Sequence, residues 1–340
     1  MKPIVLDGSQ GEGGGQILRT SLALSLTGGQ PIRIENIRSK RSRPGLMRQH
    51  LTAVLAAAAV GDADVTGAEI GSTELTFEPR ALAGGDYHWS IGTAGSTTLV
   101  FQTVLPALLA ADRPSRVVLE GGTHNPFAPP FDFLEQAYLP ILRRMGAEVS
   151  LTLERPGFFP AGGGRWVAEI TPIGTWQPIE LLERGETRPL RGRVWLSGLP
   201  KSIADRETRA LVDKLPIETD AIEVKQVEEP RGPGNCLQLA IESDAVTEVM
   251  TAFGAAGTPS ERVAGELAKE ARSYLAADAP VGQYLADQLL LPFALAKGGS
   301  FRSIASTLHA KTHIEILQAF LPCTIEEERR GRSDHRFTVN

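Results

Sequence analysis

Two histidines four residues apart, His309 and His313, lie in the segment His-Ala-Lys-Thr-His. That spacing puts both rings on one helix face. Zinc proteases use it with a glutamate after the first histidine, but here Ala310 follows, which argues against that chemistry. A nucleophile is the other use of such a ring. With an ordinary pKa near 6.5, roughly three-quarters of an imidazole is neutral at pH 7, whereas a lysine near 10.4 would need lowering by about 3 units. Spacing does not choose between His309 and His313.

A second group of chemical residues is Gly11-Glu12-Gly13-Gly14-Gly15-Gln16. Glycines between a strand and a helix let backbone amides approach an anion, or simply allow a tight turn. It is not a dinucleotide fingerprint, because Gln16 stands where the third glycine belongs. Glu12 could ligate Mg²⁺ or Mn²⁺ through oxygen, or complement the helix dipole. Arg38, Lys40, Arg41, Arg43 and Arg48 form a basic run, and Arg19 precedes it. Guanidinium forks suit phosphate oxygens, although such runs are also solvated loops. Gly92-Thr93-Ala94-Gly95-Ser96-Thr97-Thr98 resembles a phosphate loop but lacks the GK[ST] ending. Gln102 is a lone amide in an apolar stretch, either a satisfied core group or a ligand contact. Gly121-Gly122-Thr123-His124-Asn125-Pro126 with Ala128-Pro129-Pro130 reads as a rigid connector, and Gly162-Gly163-Gly164 as structural.

The elements that must position these groups follow from periodicity. Strands are expected at Val5–Asp7, Ile32–Ile34, Leu75–Phe77 and Tyr87–Ile91, with helices over Gly15–Leu26 and Gly45–Val60. That gives a β-α-β-α-β-β order over about ninety residues, on spacing alone. A similar order recurs with helices Gly95–Ala111 and Phe131–Met145 and strands Arg116–Leu119, Val149–Leu153 and Trp166–Ile170. Composition shifts near Leu182, and residues 183–277 read β-α-β-β-α, a smaller inserted α/β domain with helices Ile203–Lys214 and Ser260–Leu275. Residues 1–182 and 278–340 then form the large domain, ending in a helix Tyr284–Ala296 and a strand-helix pair around His309. The expected class is α/β, with helices covering sheets.

The 340 residues carry 42% hydrophobic and 22% charged side chains, which suits a globular chain of more than one core. A net charge of −5 argues against a protein that coats duplex nucleic acid, but not against one that grips a single RNA end. Cys236 and Cys323 form no metal or disulfide pattern. No long apolar span or signal segment is evident, so a cytoplasmic protein without membrane contact is expected.

Taken together, Asp7-Gly8, the Gly11–Arg19 stretch, Arg43-Pro44-Gly45-Leu46, Arg48–Ala53, Gly95-Ser96, Gln102–Pro106, Gly121-Gly122-Thr123 with Asn125-Pro126, Tyr284–Gln288 and the His309 segment resemble the RNA 3'-terminal phosphate cyclase family. The resemblance runs across essentially the whole chain. It implies three β-α-β-α-β-β units plus an inserted domain. It also implies an ATP-dependent reaction on RNA with a 3'-terminal phosphate, giving a 2',3'-cyclic phosphate through a histidine–AMP intermediate. On this resemblance His309 is the nucleophile, and Tyr284 and Pro130 sandwich the adenine. Gln102, Asp287 and Gln288 line the ATP pocket, Glu12 holds Mg²⁺ or Mn²⁺, and Arg19, Arg41 and Arg43 bind RNA or leaving phosphates. His313 is a departure from the expected pattern and adds a competing candidate for adenylation. No obligate protein partner is implied. Two rival readings are a cyclase-like RNA-processing scaffold without catalysis, against which His309, Glu12 and Tyr284–Gln288 speak, and an enolpyruvyl transferase on a similar fold.

Overall fold

A computed structural model describes residues 2–340. The chain is mixed α/β, with four four-stranded sheets. The first sheet contains β1 (Ile4–Asp7), β2 (Ile32–Glu35), β3 (Asp64–Thr66) and β4 (Leu75–Glu78) in the order β1-β2-β4-β3. Strands β1 and β2 are parallel, so a crossover must join them, and α1 (Gln16–Gly28) is that crossover. Helix α2 (Arg48–Gly61) leads into the antiparallel β3–β4 pair. The second sheet has the order β5-β6-β8-β7, from β5 (Asp86–Ser90), β6 (Ser115–Gly121), β7 (Glu148–Arg155) and β8 (Gly164–Thr171). Here α3 (Thr97–Leu109) joins the parallel pair β5 and β6.

The sequence expectation placed Leu75–Phe77 and Tyr87–Ile91 as the last two strands of the first unit. The structure instead pairs β4 with β3, and β5 opens the next sheet against β6. Strand β3 has only three residues with one half-buried, Val65, so it leaves almost no alternation to read. The helix expected over Phe131–Met145 is broken into α4 (Phe131–Phe133), a π-helical turn (Leu134–Tyr138) and α5 (Leu139–Arg144). Pro140 lies in the first turn of α5 and has no N–H to continue the α ladder, which accounts for the change of register.

The two-residue strand β9 (Glu180–Leu181) precedes a third group of elements. These are β10 (Arg191–Ser197), α6 (Ser202–Val212), β11 (Ile222–Gln226), β12 (Gly234–Glu242), β13 (Thr247–Phe253) and α7 (Ser260–Ala276). Their sheet order is β11-β10-β12-β13, one strand more than the sequence suggested. The chain then forms α8 (Gln283–Leu295), β14 (Gly299–Ser303), α9 (Leu308–Phe320), β15 (Ile325–Gly331) and β16 (Asp334–Val339). Strand β14 pairs in parallel with β9, and the remaining sheet has the order β15-β16-β14-β9.

Apolar side chains gather in two cores. One links three of the sheets through α1, α2, α3, α8 and α9. The other lies within Leu190–Tyr274. Helix α1 is buried on nearly every side from Gln16 to Leu26, its small polar Thr20, Ser21 and Ser25 included. It packs against α2, α3 and α9 and ends at Gly29, whose φ of 62° supplies the left-handed cap. The first residues of α1 and α9 therefore meet, which brings Gln16 and His309 together.

Candidate active site

His309 stands in the first turn of α9. Thr307 caps that helix: its hydroxyl accepts from the Ala310 amide at 2.9 Å and donates to Asp287 Oδ1 at 2.6 Å. One side chain thus fixes both the start of α9 and the carboxyl of α8. The His309 Nδ1 lies 2.6 Å from Gln16 Oε1, across 293 residues of sequence. An amide oxygen only accepts, so Nδ1 carries a proton, and in the neutral ring the lone pair lies on Nε2.

His309 opens into a cavity of about 650 Å³, a volume typical of small-ligand sites. The structure brings Arg19, Gln102, Pro130, Tyr284, Asp287 and Gln288 to its walls as well. Gln102 donates from Nε2 to Gln288 Oε1 at 2.7 Å, and its own Oε1 is buried without a partner among the described residues. An unpaired buried acceptor is costly, and a ligand donor would satisfy it. Burial raises the Asp287 carboxyl to about 7, opposed by the Thr307 hydroxyl. Tyr284 is 56% exposed at one wall, and Pro130, at the N-cap position of α4, is buried.

His313, one turn further along α9, is a buried strut. Burial, helped by nearby Arg19 and His309, lowers it to about 4, so the ring is neutral. Its Nδ1–H therefore donates to the Asp287 carbonyl at 2.9 Å. No cluster of three or more metal-ligating side chains occurs among the described residues, which leaves the two histidines without a zinc-type ligand set.

Glu12 lies beside the cavity rather than in its wall. Its backbone amide donates to Thr312 Oγ1 at 3.2 Å, and its carboxylate accepts from the Gln16 amide at 3.3 Å and from the Arg41 guanidinium. The glycines of this loop answer to crowding. A side chain at Gly11, where φ is +51°, would meet Thr312 Oγ1 at 1.9 Å. One at Gly15 would meet His50 and Arg19. Burial lowers Arg19 to about 10 and His50 to about 3, with Arg19 and Arg38 also disfavouring charge on His50. Of the basic run, Arg38 turns inward and donates to the Arg43 and Gly45 carbonyls, both at 2.8 Å. Arg41 pairs with Glu12, and Arg43 is exposed outside the cavity.

The Gly92–Thr98 loop is not an open anion cradle. The Ser96 amide donates to Gln49 Oε1 at 2.6 Å, the Thr97 amide to the Gly122 carbonyl at 2.9 Å, and the Leu99 amide to Ser96 Oγ at 3.3 Å. These bonds consume the amides that a phosphate would need.

Two buried carboxyls, not anticipated from sequence, tie the Arg191–Phe253 sheet to the cavity walls. Asp132, two residues after Pro130, accepts from His124 Nε2 at 2.7 Å, Arg193 Nη1 at 2.6 Å and Gln238 Nε2 at 3.1 Å. Though burial opposes ionisation, the His124 and Gln238 hydrogen bonds and the Arg193 charge hold it at about 2. The so-called connector at His124 is therefore part of a packed network, with Phe158 stacked on His124 at 5.2 Å. On the other side, Glu248 of β13 accepts from the Gly282 amide that begins α8, two residues before Tyr284. Burial raises Glu248 to about 8. Strand β13 itself lines the cavity through Val249, Thr251, Ala252 and Phe253. The only advance signals were single acidic residues in apolar segments, which do not name their partners.

The family model for RNA 3'-terminal phosphate cyclase matches residues 10–326. The chain is 52% identical over 323 residues to the RNA 3'-terminal phosphate cyclase of Koribacter versatilis, covering 95% of this chain and 91% of that one. It is 51% identical to the proteins of that name from Pseudomonas fluorescens, over 96% of this chain and 95% of that one, and Ralstonia nicotianae, over 96% and 94%. Among solved structures, the enolpyruvyl transferase NikO from Streptomyces tendae aligns at 11% identity with a TM-score of 0.37, over 99% of this chain and 48% of that one, too distant to bear on activity. No helix is long and apolar enough to cross a membrane among the described residues. The match across nearly the whole chain and the relatives near 50% identity carry one conclusion: the chain belongs to the RNA 3'-terminal phosphate cyclase family.

Proposed function

We propose that this protein converts an RNA 3'-terminal phosphate to a 2',3'-cyclic phosphate at the expense of ATP, with His309 as the covalent carrier of AMP. The observation that carries this reading is the His309 ring at the mouth of a helix, with Nδ1–H held by Gln16 and Nε2 left free beside the cavity. His309 Nε2 attacks the α-phosphorus, the bond to the β-phosphate oxygen breaks, and pyrophosphate leaves. An oxygen of the RNA 3'-phosphate then attacks the same phosphorus and displaces the neutral imidazole. Finally the adjacent ribose 2'-hydroxyl attacks the activated 3'-phosphorus, AMP leaves, and the ring closes. That last step is intramolecular, so proximity supplies much of its rate.

The first turn of α9 presents the positive end of its dipole, which favours an anion beside His309. Arg19 adds a buried positive charge in the same wall. Tyr284 and Pro130 offer flat faces to the adenine, and Gln102, Asp287 and Gln288 offer polar groups to the nucleotide. Glu12 offers one carboxylate, a donor set that fits Mg²⁺ or Mn²⁺ held mainly by substrate phosphates and water. When bound, the cation would offset charge on the α-phosphate. Arg41 and Arg43 are the candidates for contacts to the RNA end. We also read the three sheets outside residues 183–277 as copies of one β-α-β-α-β-β unit, with residues 183–277 inserted as a smaller domain. The cytoplasm is the location this reading expects.

The test is incubation with α-labelled ATP and a divalent metal. Acid-labile, alkali-stable label on the wild type, absent from His309→Ala, is expected. An unlabelled wild type overturns the function, and full label on His309→Ala overturns the residue assignment.

A further inference from the structure

Phe127 is an aromatic residue in the wrong place for a folded protein unless something binds it. Its ring is fully exposed, yet it also lines the rim of the cavity that holds His309. Its φ of 65° lies in the left-handed region, where a bulky side chain costs roughly 1–2 kcal/mol. The loop around it is pinned on both sides. Asn125 Nδ2 donates to the Ala94 carbonyl at 2.5 Å, Thr98 Oγ1 donates to the Pro129 carbonyl at 2.6 Å, and the Phe131 amide donates to the Thr123 carbonyl at 2.9 Å. The ring is therefore held out from an anchored loop.

A second exposed ring belongs to the segment bridged to this loop. Phe159 is 67% exposed and follows Phe158, which is bridged to His124 in the Phe127 loop. Two arginines nearby have no hydrogen-bond or ion-pair partner for their side chains among the described residues. Arg231 covers Gly163 after Phe159, and Arg48 reaches toward Gly92 in the adjoining loop that Asn125 holds at Ala94. Exposed aromatic rings interleaved with uncommitted arginines are the signature of a single-stranded nucleic-acid path: rings stack on bases and guanidinium groups meet the backbone.

Resting on the proposed function, we propose that Phe127 and Phe159 form a stacking platform for unpaired nucleobases next to the 3'-phosphate of the RNA, with Arg48 and Arg231 flanking its backbone. Geometry favours RNA over other occupants. A 3'-phosphate can reach His309 only past the cavity rim, and Phe127 is on that rim. Stacking is sequence-tolerant, so the platform reads single-strandedness and not a base identity.

The experiment measures two Michaelis constants on wild type, Phe127→Ala, Phe159→Ala and Phe127→Tyr: for α-labelled ATP in self-adenylation without RNA, and for a 3'-phosphorylated single-stranded oligoribonucleotide in cyclisation. A stacked base is worth about 1–3 kcal/mol, so KM for RNA is expected to rise about 5–150-fold relative to KM for ATP in Phe127→Ala, with recovery in Phe127→Tyr. An oligonucleotide lacking bases in its last few positions should abolish the difference between wild type and Phe127→Ala. A rise confined to KM for ATP would show that the ring closes over the adenine and overturns the platform. So does wild-type indifference to the missing bases, or unchanged RNA constants in both alanine variants. A wild type that takes no label overturns the proposed function, and the platform with it.

Discussion

Replacing Asp132 by alanine removes the shared acceptor of three donors. His124 Nε2 and Gln238 Nε2 are left in a buried site, and Arg193 loses one of its two carboxylates. Each stranded hydrogen-bond donor costs about 1–3 kcal/mol. Arg193 keeps Glu223 at 2.9 Å and is 31% exposed, so its share is well below that of a fully buried pair. The expected loss is about 3–5 kcal/mol for Asp132→Ala, and roughly half of that for Asp132→Asn, which retains one acceptor oxygen. Urea unfolding at pH 7 measures it. Acid supplies an independent check. The Asp132 carboxyl ionises at about 2 in the folded chain, below its ordinary 3.8, so its charge stabilises the fold above pH 3.8. That contribution, about 2 kcal/mol, is lost as the pH falls through 2, so the difference between wild type and Asp132→Ala should narrow below pH 3. Because Pro130 caps the same short helix, KM for ATP should also rise. A stability change under 1 kcal/mol for Asp132→Ala at pH 7 would refute the network as a structural tie.

Gly11→Ala places a methyl group on Thr312 Oγ1 at a left-handed φ. It should cost about 2–4 kcal/mol from backbone strain and the displaced Thr312 bonds, and lower the rate of self-adenylation; near-wild-type values for both would count against the crowding argument. Glu248 holds a proton up to about 8, where the unfolded chain releases it near 4.5, so wild-type stability falls as the pH rises through that window. Glu248→Gln should gain on the wild type by on the order of 3–5 kcal/mol between pH 5 and 9 in paired unfolding curves, and parallel curves would contradict this. Asp287 titrates at about 7. The self-adenylation profile of the wild type should therefore show an inflection between pH 6 and 8 that Asp287→Asn lacks, and an identical inflection in the variant would assign it elsewhere.

Much of the fold could be read from sequence where apolar periodicity was long. Helices α1, α2, α3 and α8 begin and end within three residues of their expected bounds, since each carries a sustained apolar face. Strands β3 and β9, three and two residues long, were invisible, and missing β3 shifted the unit boundary onto β5. The site was harder. Nothing local announces that His309 will meet Gln16, or that Asp132 will meet Arg193 and Gln238, 61 and 106 residues away. The positions of His309, Tyr284 and Gln102 in one cavity follow from tertiary packing, and only the chain-wide resemblance pointed to them together. The Gly92–Thr98 loop shows the opposite case, a phosphate-like spelling whose amides are spent on Gln49 and Gly122.

The two faces proposed for the nucleotide are fastened to one sheet. Pro130 is tethered through Asp132 to β10 and β12, and Tyr284 through Gly282 to Glu248 on β13. A version of this protein pared down to its other three sheets would therefore be an incomplete enzyme and not a smaller one. Both walls would lose their footing at once, and four lining residues of β13 would go with them. The cavity is a joint product of that sheet and the rest of the chain, written into the seam between them. Moving it to another scaffold would require transplanting the seam as well as the histidine.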